Sequence, residues 1–97
     1  MSENAELAAI IGITRAMLDA AQAGCWAELG RLEALRAPRL ARVRAGDADV
    51  NLLHELFALN ERITGAAVAS RDAAALAWTQ RLRSLRGASA YLDVARG

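Results

Sequence analysis

Lysine is absent from this 97-residue sequence, and all twelve basic side chains are arginine. Cysteine, proline and histidine occur once each, as Cys25, Pro38 and His54. A single cysteine excludes an internal disulfide and makes a reducing compartment the default. Valine and isoleucine are sparse and nothing alternates with period two, so strands are not expected. The longest apolar run near the start, Leu7 to Ile13, is far below the roughly 20 residues that span a bilayer. The opening Met1-Ser2-Glu3-Asn4 is acidic rather than basic, which is not the pattern of a secretion signal. These features together lead us to expect a single cytoplasmic domain with no membrane span.

Reaction chemistry is also scarce. No Glu-x-x-His pairing accompanies the scattered carboxylates, so a di-metal bundle is not expected. His54 stands alone, whereas metal sites need several clustered ligands. Cys25 lies at a helix start, where a thiol pKa can fall. It has no histidine or carboxylate beside it, and we read it as an inert cysteine. There is no glycine-rich phosphate loop. The expectation is a non-enzymatic binding protein with no catalytic residue, cofactor or metal. A net charge of +1 and a pI near 8.0 are too weak to imply nucleic acid or an anionic membrane.

What the sequence has is helix. Alanine and arginine are common, and both favour helices. Leu7, Ile10, Ile11, Thr14, Met17, Leu18 and Ala21 mark one face of a first helix, with Asn4 as its expected cap. Gly24 suits the left-handed residue that ends it. A second helix is expected from Cys25 or Trp26 to Arg44, with Trp26 pinned onto helix one. Its apolar positions are Trp26, Leu29, Leu32, Leu35, Leu40 and Val43. Because that spacing continues past Pro38, a kink is expected there rather than a stop. Gly46 ends the second helix, and Asp47 or Asp49 caps the third.

The third helix is the longest. From Val50 to Arg86 there is no proline and only Gly65 among the glycines. Leu52, Leu56, Leu59 and Ile63, then Ala74, Trp78, Leu82 and Leu85, recur in steps of three and four. Thirty-seven residues at 1.5 Å each span roughly 50 Å, against roughly 30 Å for a hairpin of the first two helices. Gly87 is a possible terminator, leaving residues 88–97 as a short fourth helix or a frayed continuation. The fold class expected is all-α: an antiparallel bundle of three helices, in which a helical hairpin packs on one long helix. The leucine-, phenylalanine- and tryptophan-rich ends of that helix are expected to carry more packing energy than its small-residue middle, Ala66 to Ala77.

A long helix that outreaches its hairpin leaves apolar residues to be covered by the C-terminal segment or offered to a partner. The partner-binding site expected is Leu76, Trp78, Leu82 and Leu85, with Tyr91 and Leu92 as a movable cover. Two other readings use different features. One is a homodimer built on the same long helix. The other is a small nucleic-acid-binding regulator using the helix-two arginines, of which Arg31, Arg39 and Arg42 share one side. Nearby Glu28 and Glu33 blunt that cluster and no aromatic residues interleave with it, so nucleic acid is not favoured.

The order of features resembles the FliT family of flagellar export chaperones. The resemblance rests on Gly24-Cys25-Trp26-Ala27-Glu28-Leu29 at the start of helix two, Glu33 within it, a short acidic loop, and one long helix with Arg71 mid-way. It ends at Ala88-Ser89-Ala90-Tyr91, and it covers nearly the whole chain. It implies a small cytoplasmic chaperone that binds the filament cap protein FliD, prevents premature assembly and delivers it to the type III flagellar export apparatus. It also implies that the segment matching Ala88 to Leu92 covers a binding surface and moves aside. The chain stops soon after Tyr91, which departs from relatives with a longer tail.

Overall fold

Leu7, Ile10, Ile11, Thr14, Met17, Leu18 and Ala21 are all buried, as their spacing requires of one helical face. They belong to α1, Glu3–Gln22. α2 covers Trp26–Leu40, a single 3-10 turn covers Ala45–Asp47, and α3 covers Val50–Arg96. The computed structural model describes the backbone of residues 3–96 and the side chains of 3–44 and 46–88. Among the described residues there is no strand, and the fold is an all-α bundle of three helices. By compactness the chain divides into two units, Met1–Ala67 and Val68–Gly97.

The first unit holds the core. Leu7, Ile10, Ile11, Met17 and Leu18 of α1 cluster with Leu32 of α2 and with Leu56, Leu59 and Ile63 of α3. Burying each such side chain contributes about 1.5–3 kcal/mol. α2 runs antiparallel to α1: Arg39 near its end reaches Glu6 near the start of α1, at 2.7 and 3.0 Å. The turn between them is set by Gly24, whose φ of 73° is costly for any residue with a Cβ. The amide of Cys25 donates to the carbonyl of Ala20 at 2.8 Å, and that of Gly24 to Ala21 at 3.2 Å. This pair of bonds satisfies two carbonyls left open at the helix end.

Pro38 does not kink a longer helix; α2 stops two residues beyond it, at Leu40. Proline has no N–H to give the carbonyl of Ala34, so the last turn is weakened where it stands. Shorter bonds then take over, with the amide of Arg42 donating to Arg39 at 3.2 Å and that of Val43 to Leu40 at 3.1 Å. Val43 still packs against the core, from a turn rather than a helix. Gly46 lies in the 3-10 turn without a positive φ and therefore does not end α2.

Asn4 caps a different element from the one expected. It lies inside α1, and its Oδ1 accepts the amide of Asp49 at 2.8 Å. Its neighbour Glu3 accepts the amide of Arg44 at 3.1 Å. The first turn of α1 thus holds the loop that leads into α3 at two points. Of the two aspartates expected to cap α3, Asp49 does so, its carboxylate accepting the amide of Asn51 at 2.7 Å.

α3 passes through Gly87 and continues to Arg96, so no break sets off a separate fourth helix. The packing along α3 also differs from expectation. Leu56, Leu59 and Ile63 are buried near its start, but Trp78 and Leu85 are exposed. The α3 residues of the core cluster are Leu56, Leu59 and Ile63, with Leu52, Leu53 and Ala66 packed against it, all in the near part of the helix.

Candidate functional site

Among the residues expected to bind a partner, Leu76 and Trp78 are each 59% exposed and Leu85 is 58% exposed, while Leu82 is half-buried. An α-helix turns by about 100° per residue. Trp78, Leu82 and Leu85 therefore fall on one stripe, and Ala75 and Val68 extend it backwards. Leu76 does not join them, because its two-residue offset from Trp78 turns it by about 200° to the other side. The side chains of Tyr91 and Leu92, the expected cover, lie outside the described residues.

The stripe is apolar but bordered by charge. Arg71 falls within its width, Arg86 lies close beside it, and Arg81 follows its other edge. Arg71 faces Asp72 at 3.4 Å, with both side chains mostly exposed. Exposed large apolar groups at helical spacing, rimmed by polar side chains, are the arrangement that interaction surfaces use.

The first unit has two concave surfaces, both lined by residues of α2 and α3. An apolar hollow of about 340 Å³ is lined by Leu40, Val43, Leu53, Leu56 and Phe57. A shallower one of about 430 Å³ includes Met17, Trp26, Leu29 and Ile63. Arg36 and Asn60 line both. Trp26 is 40% exposed at the rim of the second hollow, so it does not pin α2 into the core. As the first residue of α2 it sits at the edge of the bundle, where a large ring has core on one side only.

Arg36 is the residue that sequence reasoning missed. It is 8% exposed and joins all three helices. Its Nη1 donates to Thr14 Oγ1 at 3.3 Å and to Asn60 Oδ1 at 3.0 Å, and its Nη2 donates to Glu33 at 2.7 Å. Its Nε is buried with no hydrogen-bond partner. The signal for this was present: Leu29, Leu32 and Arg36 follow one another at offsets of three and four on the buried face of α2.

The other helix-two arginines are also engaged. Arg31 pairs with Glu28 at 2.9 and 2.5 Å, and Arg39 pairs with Glu6. Hydrogen bonding from these arginines holds the carboxyls of Glu28 and Glu6 below their ordinary value. Two of the three arginines that share a side are thus matched by carboxylates. His54 is exposed, and Cys25 is a free, exposed thiol. Among the described residues no group of three His, Cys, Asp or Glu is placed to hold a metal ion. Among them, too, no helix is long and apolar enough to cross a membrane.

The chain matches no family model, no curated protein and no solved structure. Its functional reading therefore rests on its own residues.

Proposed function

We propose that the protein is a helix-binding export chaperone of the FliT kind, whose client is the helical C-terminal region of a flagellar filament cap protein. The observation that carries this reading is the apolar stripe of Trp78, Leu82 and Leu85 on α3, of which Trp78 and Leu85 are largely exposed. A helix partner docks by laying its own apolar face along such a stripe. The bound subunit is thereby kept from assembling early and is passed to the export apparatus. The order of features from Gly24 to Tyr91 supports the assignment to flagellar export in particular.

Calorimetry with the full chain and the cap protein's C-terminal region tests it. Binding is expected, and Trp78→Ala should weaken it by about 2 kcal/mol or more while the thermal midpoint stays in place. Absence of heat with the native chain overturns the client assignment. Loss of folding in Trp78→Ala would instead make Trp78 part of a core.

A further inference from the structure

Charge is divided unevenly along the chain. Residues 1–67 hold seven arginines and nine carboxylates, net −2, whereas residues 68–88 hold four arginines and one aspartate, net +3. Within that second stretch Arg71 faces Asp72, and among the described residues no carboxylate pairs with Arg81, Arg83 or Arg86. Arg71, Arg81 and Arg86 border or interrupt the stripe of Ala75, Trp78, Leu82 and Leu85. The side of the helix opposite that stripe carries Ala73, Leu76, Gln80, Ser84 and Gly87, with Ala77 at one edge of it and Arg83 at the other.

The position of the arginines selects among ligands. A helix that lies on an anionic membrane places its basic residues on the face turned away from its apolar stripe. Here only Arg83 turns away from the stripe, and Arg71, Arg81 and Arg86 lie within or beside it. A phosphate-binding helix needs no ordered apolar seam between its arginines. An apolar seam flanked by charge is how one helix chooses another, through pairs at the edges of the contact. A second copy of this helix is a poor match. In a parallel, in-register pair Arg71 meets Arg71 across the seam, and Arg81 lies opposite Arg86, with like charges facing each other.

We propose that the α3 stripe around Trp78, Leu82 and Leu85 selects an acidic amphipathic helix, one whose apolar face is flanked by aspartate or glutamate. This rests on the helix-binding reading above and adds the chemistry of the client. Arg81 and Arg86 set the preference at the edges, and Arg71 sets it at one end of the stripe.

The test uses the full chain carrying Trp26→Phe, so that Trp78 is the remaining tryptophan reporter. It is titrated with two peptides of about three heptads, identical in their leucine seams, one flanked by glutamate and the other by lysine. The glutamate peptide should bind about tenfold or more tightly at low salt, and added salt should narrow the gap. Arg81→Glu with Arg86→Glu should reverse the preference without moving the thermal midpoint. Equal binding of the two peptides overturns the acidic preference but leaves helix binding standing. Binding of neither peptide overturns both. Response to phosphatidylglycerol vesicles or duplex DNA, without response to the glutamate peptide, overturns the proposal in favour of those ligands. A concentration-dependent dimer in sedimentation that blocks the glutamate peptide overturns it in favour of a second copy.

Discussion

The Nη1 of Arg36 donates to the Oδ1 of Asn60 at 3.0 Å, tying α2 to α3 across the wall between two hollows. Arg36 is buried and already has one donor without an acceptor. Asn60→Ala would remove an acceptor from a charged group, which costs about 1–3 kcal/mol. Arg36→Met keeps the apolar stem and removes the unsatisfied Nε, so it should cost less than Asn60→Ala or be neutral. Urea midpoints at constant slope measure both. A larger loss for Arg36→Met would show that the ion is worth more than its burial.

The two halves of α3 should respond differently to truncation. Leu56 is buried in the core cluster, and Leu56→Ala should cost about 2–5 kcal/mol of stability. Trp78 is largely exposed, so Trp78→Ala should leave the midpoint nearly unchanged. Its effect should appear in client binding, where tryptophan truncation costs about 2 kcal/mol or more. Thermal melts beside calorimetry separate the two outcomes.

Acid should weaken the hairpin through Glu6. The hydrogen bond from Arg39 holds its carboxyl below the ordinary 4.5. A carboxyl lowered in the folded state adds stability that is fully present above pH 4.5 and is lost as pH falls through its lowered value. Glu28, held down by Arg31, acts in the same direction. Glu6→Gln should therefore show a shallower loss of thermal midpoint on acidification than the native chain. Parallel curves would mean that the pair contributes equally in both states.

Two glycines should behave oppositely on replacement by alanine. Gly12 is an exposed helical residue with nothing within 4 Å of a built Cβ, so Gly12→Ala should stabilise by up to about 1 kcal/mol. Gly24 also has open space but a φ of 73°, and Gly24→Ala should destabilise by about 1 kcal/mol or more. Chemical denaturation of both variants gives the signs directly.

The α1 face was legible, apart from buried Ala20, because Leu7, Ile10, Thr14, Met17 and Ala21 carry one unbroken period, and period dictates burial. Gly24 was legible because few residues can fill its left-handed geometry, and the α3 cap was legible as an aspartate but not as Asp49 rather than Asp47. Arg36 was not, because its charge argued for water while its position argued for the core. Its long stem let position prevail once Thr14, Glu33 and Asn60 supplied acceptors. Trp26 failed in the reverse sense: a large ring argued for burial, but the first residue of a helix has too few neighbours to cover it. Pro38 showed that apolar spacing can outlast the helix that generated it, since Val43 reaches the core from a turn. For Trp78, Leu82 and Leu85, periodicity shows that they share a side and shows that Leu76 does not, but it carries no information about what lies against that side.

Glu3 and Asn4 grip the backbone at Arg44 and Asp49, more than forty residues along the chain. The beginning of α1 is thus the clasp on the approach to α3. Melting that first turn would release the amides of Arg44 and Asp49 together, and the two places should exchange their protons for deuterons as one event rather than as separate frayed ends.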